Sequence, residues 1–170
     1  MALADESGLE AVTMQAVASR LGVTPMALYR HVGDKAALLD GLVERLLLDV
    51  DSPSPDLTGP RQLMEMARAL RATGQRHRGV FPLLLTRPVA TPLAMQVRAS
   101  VVEALEVAGT GSDRVGQTER LVSTAVLGFI VSEVSGRFRN HPRQVIDADF
   151  DRLLELLGGF VTHHQDRQPD

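Results

Sequence analysis

Residues 22–35, GVTPMALYRHVGDK, hold the side chains best suited to chemistry in this chain. They include its single tyrosine, Tyr29, and, six residues later, its single lysine, Lys35, although the chain has 18 basic residues. Arg30 and His31 stand between the two. A phenol, a guanidinium, an imidazole and an ammonium this close together form a set of donors for phosphate oxygens, and phosphate contacts set register on a duplex. Pro25, Met26 and Ala27 are apolar, able only to touch a thymine methyl or to sense shape. Upstream, Gln15 offers an amide that can pair bidentately with adenine. A second reading stays open from these residues alone. Tyr29 can be a core residue with a wet hydroxyl, and two helices around a tight turn also occur in proteins that bind no DNA.

Other chemistries find little support. There is no cysteine, which excludes disulfides and thiolate metal sites. His163 and His164 are adjacent, so on a helix they point to different faces and chelate poorly. His77 and His141 neighbour arginines and read as solvated. No Ser-His-Asp or paired-carboxylate spacing is present, and the GTGS at 109–112 follows a helical pattern, not a strand, so it is no phosphate loop. The expectation is a protein without catalytic residues, metal or cofactor.

The elements that must position the donors are helical. Met14, Val17, Ala18 and Leu21 follow the i, i+3, i+4, i+7 spacing of one buried helix face, with Thr13 as N-cap and Gly22 as terminator. Thr24-Pro25 opens a second short helix, a capping hydroxyl followed by proline at the first helical position. Leu28 and Val32 face inward there, which turns Pro25, Met26, Tyr29 and Arg30 outward. Gly33 closes this helix and Asp34 caps a third, whose stripe runs from Leu38 to Val50. Two short helices around Gly22-Val23 form a helix-turn-helix, whose second helix enters the major groove.

Further on, three prolines and a glycine in 51–60 mark a linker. Beyond it lie amphipathic helices at about 62–70 and 94–108, a short apolar piece at 80–86 ended by Pro88, a long helix at 113–138 and a last one carrying Phe150 to Val161. No strand pair and no repeat is visible, so the fold class is all-α. The boundaries read as 1–50 for a helix-turn-helix DNA-binding domain with its linking helix, 51–60 for the linker, and 61–170 for a second helical domain.

Charge gives no general help to a nucleic-acid reading. The net charge is −3, and residues 1–50 carry four basic residues against seven acids. Only between Thr13 and Lys35 does the balance reverse, three basic residues to Asp34 alone. No apolar stretch reaches the roughly 20 residues of a membrane helix, and the first ten residues hold three acids and no apolar signal core. A soluble, cytoplasmic protein without membrane contact is expected.

VTMQAVASRLGVTPMALYRHVGDKAALLDGLVERLL, from Val12 to Leu47, resembles the DNA-binding domain of the TetR family of bacterial repressors, nearest its tetracycline-repressor branch. The likeness rests on A-x-x-L-G-V at the turn, L-Y-x-H-V ending the recognition helix, the lysine after it, and A-L-L-D-x-L opening the next helix. It implies a homodimeric repressor that leaves double-stranded operator DNA when a small effector binds. By motif position it places DNA contacts on Thr13, Gln15, Thr24, Pro25, Met26, Ala27, Tyr29, Arg30, His31 and Lys35. Members usually carry a full first helix with basic residues near its start; here MALADESG covers only its last turns, so Met1 is expected to be internal to a longer natural chain.

In residues 61–170, Ser123, Ala125, Gly128, Ser132 and Gly136 would let a neighbouring helix approach closely. The helices at 113–138 and 149–164 are therefore expected to form a four-helix bundle across a two-fold axis, with a monomeric core as the alternative. Met66, Leu70, Phe81, Leu84, Met95, Thr124 and Leu127 are the candidate pocket lining. One hydroxyl among apolar groups suits a largely hydrophobic effector, though such residues at helical spacing read equally well as core. The competing function is a helical small-molecule-binding protein or enzyme that does not bind DNA, or a sensor that has lost DNA binding.

Overall fold

The computed structural model describes residues 1–87 and 91–162. Among these the chain forms nine α-helices and no strand: α1 Ala2–Ser7, α2 Met14–Leu21, α3 Pro25–Val32, α4 Lys35–Leu48, α5 Gly59–Arg76, α6 Leu83–Thr86, α7 Pro92–Val107, α8 Val115–Val134 and α9 Arg143–Thr162. A single 3-10 turn, Leu9–Ala11, links α1 to α2. Pro88, His163 and His164, which entered the reading above, lie outside the described residues.

α2, α3 and α4 each begin on a side-chain cap, whereas α1 has none. The Thr13 hydroxyl accepts from the Ala16 N–H at 3.1 Å, Thr24 from Ala27 at 3.2 Å, and the Asp34 carboxylate from Ala37 at 2.8 Å. These bonds satisfy donors that a helix start otherwise leaves orphaned. α2 stops at Gly22, whose φ of 70° a side chain would oppose. The Val23 N–H then reaches back to the Ala18 carbonyl, closing a Schellman turn. Met14, Ala18 and Leu28 are buried together between α2 and α3, with Val17, Val32 and Leu38 against them. Leu21 departs from the expected stripe. It is 63% exposed, because α2 turns at Gly22 before any element can cover its last position.

The main core is continuous from α1 to α9. Ala4, Val12, Val43 and Leu46 from the N-terminal third join Phe81, Ile130, Phe150 and Leu154 in one cluster. The non-helical stretch between α4 and α5 falls at 49–58. α4 is held to the later helices by polar clamps: Arg87 Nε donates to Asp40 at 2.6 Å, its Nη2 to the Ala36 carbonyl at 3.2 Å, and the Leu93 N–H to Glu44 at 3.1 Å. Hydrogen bonding by Asp40 raises the guanidinium pKa of Arg87 further, against burial, so it is charged throughout.

α8 is shorter than expected, ending at Val134 instead of Phe138. The Arg137 N–H turns back to the Ser132 carbonyl and the Gly136 N–H to Glu133, so Ser135-Gly136 closes the helix. Thr118 and Glu119 are buried, whereas Leu121 is 52% exposed. Where α5, α8 and α9 meet, Arg71 binds Glu133 through Nε and Nη2 at 2.7 and 2.8 Å and Asp147 through Nη2 at 2.8 Å. Its guanidinium lies 4.7 Å from the Phe150 ring centroid. Burial works against that charge, but the hydrogen bonds and charges of Glu133 and Asp147 outweigh it and raise its pKa.

Candidate nucleic-acid interface

α2 and α3 present the expected contact residues on an open surface. Thr13, Gln15, Thr24, Pro25, Met26, Tyr29, Arg30, His31 and Lys35 are all exposed, Met26 by 66% and Tyr29 by 48%. Ala27 alone is half-buried, tucked behind the Thr24 cap. Thr13 and Thr24 accept their cap bonds through the hydroxyl oxygen, so each keeps its proton to donate elsewhere.

The ion pairs of the N-terminal third explain how an acidic region can still present positive charge. Arg20 is neutralised by Glu6 in a fork at 2.6 and 2.7 Å, and Arg45 by Asp49 at 2.9 Å. Arg20's hydrogen bond holds the Glu6 carboxyl below its usual value, and Glu6 in turn raises Arg20. Among the described residues no carboxylate lies within ion-pairing distance of Arg30 or Lys35. Glu6 and Asp49 thus go to Arg20 and Arg45, Asp5, Asp40 and Glu44 bind groups of the C-terminal half, and the unpaired cations stand at the C-terminal end of α3 and the start of α4. The exposed apolar surface is wider than expected, since Leu21 and Val23 (44% exposed) join Met26 beside the turn.

Of the expected pocket residues, Phe81, Leu70, Leu84 and Leu127 belong to the main core cluster, and Met66, Met95 and Thr124 do not. Phe81 is fully buried core, Met66, Leu70, Leu84 and Leu127 are half-buried, and Met95 and Thr124 are exposed. Met95 is on an outward face of α7, and Thr124 shares the outward face of α8 with Leu121. None of the seven lines the apolar cavity between α5, α8 and α9, which is bounded by Leu63, Met64, Ala67, Val122, Val126 and Leu154 and holds about 30 Å³. That is far below the roughly 300–1,000 Å³ of a small-molecule site. A wider polar cleft of about 280 Å³ between α5 and α9 is edged by Arg68, Arg71, Gln75, Arg143, Asp147 and Asp151. Residue type at helical spacing could not separate pocket from core because both use the same side chains.

His77 also departs from expectation. It is not solvated like the exposed His141; its side chain is 20% exposed, with Nδ1 3.1 Å from Asp5 and Nε2 3.4 Å from Asp49. Among the described residues no cluster of three metal-ligating side chains occurs, and no helix is long and apolar enough to cross a membrane. The outer faces of α8 and α9 expose Leu121 (52%), Leu156 (57%) and Phe160 (37%).

Residues 1–42 match the family described as bacterial regulatory proteins, tetR family, and residues 63–157 match its tetracyclin repressor-like C-terminal domain. The chain is 30% identical over 153 residues to the HTH-type transcriptional repressor DrrR1 of Streptomyces coeruleorubidus, covering 88% of this chain but only 56% of that one. It therefore spans little more than half the length of that curated relative. Among solved structures, Mycobacterium smegmatis BioQ superposes with a TM-score of 0.84 at 27% identity, over 96% of this chain and 93% of BioQ. BioQ with its double-stranded DNA operator superposes at 0.80 with 28% identity, over the same shares of the two chains. Streptomyces coelicolor ActR in complex with actinorhodin shares the fold at 0.82 with 22% identity, over 98% of this chain and 94% of ActR.

Proposed function

We propose that this chain, which belongs to the tetR family of bacterial regulatory proteins, is a cytoplasmic transcriptional repressor. It binds operator DNA as a homodimer and lets go when a small effector binds its C-terminal helices. The observation that carries the reading is the placement of charge. Arg30 and Lys35 stand unpaired at one end of an exposed, capped α3, while Arg20 and Arg45 are neutralised elsewhere. DrrR1, a repressor, and BioQ, which binds a double-stranded operator, support it.

In this reading residues 1–50 bind DNA, 51–60 join the parts, and 61–170 bind effector and partner. α3 enters the major groove. Tyr29, Arg30, His31 and Lys35 hold phosphates, as do the hydroxyls of Thr13 and Thr24, while Gln15 reads a base edge and Pro25, Met26 and Ala27 sense shape. The exposed faces of α8 and α9 meet their copies across a two-fold, which spaces the two α3 helices for successive grooves, roughly 34–36 Å apart. An effector that binds better to a state with other spacing releases the DNA, and DNA must weaken effector binding by the same factor. The protein performs no catalysis.

A gel shift with DNA from upstream of the chain's own gene tests the reading. Affinity should fall steeply with salt. Lys35→Ala should weaken binding to all sequences alike and reduce the salt slope by about 1, whereas Gln15→Ala should change the preferred sequence. No shift at low salt would remove the reading.

A further inference from the structure

The first helix meets the C-terminal half through a tight polar and backbone contact that nothing in the family reading uses. A Cβ on Gly79, in the turn between α5 and α6, would lie 2.0 Å from the Ala4 carbonyl oxygen and 2.9 Å from the Asp5 nitrogen. The backbone of α1 therefore rests directly on that turn. Ala4 is 1% exposed. Asp5 accepts from the Gly79 N–H at 3.0 Å through Oδ1, and its Oδ2 faces His77 Nδ1 at 3.1 Å. His77 reaches Asp49, just past α4, with its other nitrogen, 3.4 Å away. Thr73 and Arg76 donate to the Asp49 carbonyl at 3.1 and 2.7 Å. The end of α5 and the turn after it thus grip both the first helix and the end of α4.

From α1 the connection continues to the helix-turn-helix. Glu6, next to Asp5, forks onto Arg20 in the last turn of α2. Only residues 8–13 separate α1 from α2. The other attachment is α4, clamped by Arg87 and Glu44. A head joined at one point can still rotate about it, whereas a second point away from the first removes that freedom.

We propose that Gly79, His77 and Asp5 form a seat for α1 that fixes the orientation of the helix-turn-helix on the C-terminal half. These are positioning residues for DNA binding and are not among the expected DNA contacts. The inference rests on the operator-binding reading, and its test separates the two. A random duplex library is selected on the unaltered chain, and the selected duplex is rebuilt with its half-sites one and two base pairs nearer and farther apart. Gly79→Ala and Asp5→Ala should each bind the selected duplex about ten-fold more weakly or worse. Their best half-site spacing should move or flatten, and Asp5→Asn, which keeps an acceptor for Gly79, should recover most of the affinity.

If the unaltered chain selects no duplex, operator binding and the seat both fall. If it selects one but the variants keep its affinity, or lose affinity with an unchanged spacing profile, the seat is refuted and DNA binding stands. Should Gly79→Ala not fold, Asp5→Ala decides alone, because its side chain lies at the surface of the junction and removes no core volume.

Discussion

The N-terminal head and the C-terminal helices reach the same secondary structure by different means. In the head, the starts of α2, α3 and α4 are written into one or two residues: Thr13, Thr24-Pro25 and Asp34 cap in turn, and Gly22 stops α2. Its own core is only Met14, Ala18 and Leu28. α8 has no side-chain cap, and its register depends on Val122, Val126, Ile130 and Val134 meeting α5, α7 and α9. Local chemistry shapes a small head whose outer face must stay free. In the body α7 still starts on a Thr91 cap and Pro92, but α8 is shaped by long-range burial, which leaves little local trace. The two should therefore fail differently when altered.

The largest expected loss is in the body. Phe81 is completely buried and touches the place where Ile130 lies against Gly74. Phe81→Ala should cost about 3–5 kcal/mol, read from the midpoint of urea unfolding. A loss under about 1 kcal/mol would mean the body is loosely packed, and the contrast with the head would collapse. Arg71→Met comes next. It leaves Glu133, only 14% exposed at its side chain, without its strongest partner, so about 3 kcal/mol should be lost. Adding Glu133→Gln should recover part of that loss, because the orphaned charge and not the missing arginine dominates the cost.

This division also explains what the sequence made legible. Caps and stops act over three or four residues, so Thr13, Gly22, Thr24, Gly33 and Asp34 could be read directly, and the helices they delimit stand where expected. Which residues of α2 and α3 are exposed followed from that periodicity, apart from Leu21, where the turn mattered more than the stripe. How the candidate lining residues face was only partly legible. Met95 and Thr124 share residue type with the core but face outward, a matter of how α7 and α8 rotate against α5. His77 beside Arg76 and Arg78 looks solvated in one dimension. Only the fold brings Asp5 to it from 72 residues away.

In the head a cap should matter moderately and show in two readouts. Thr24→Ala orphans the Ala27 N–H and should cost about 1 kcal/mol of stability. It should also weaken DNA binding, since α3 must be intact to its first turn to enter the groove. Thr24→Asp should restore stability as an N-cap but not binding, because it places a negative charge toward phosphate. Recovery of both would show that Thr24 acts only through the helix.

The smallest effect belongs to the exposed fork between Glu6 and Arg20, and it should depend on pH and salt. Arg20 lowers the Glu6 carboxyl in the folded protein, so the folded state holds its proton less tightly than the unfolded chain does. The fork's contribution is complete above the ordinary glutamate range and disappears as pH falls through the lowered value. Both groups are open to water, so molar salt should screen most of it. The stability gap between the unaltered chain and Glu6→Gln should therefore be widest at neutral pH and low salt. It should narrow as pH falls below the ordinary glutamate range. A gap that persists in acid would mean Glu6 holds α1 against α2 by packing. α2 would then be tied to α1 by packing of the kind that already seats Ala4 in the main core.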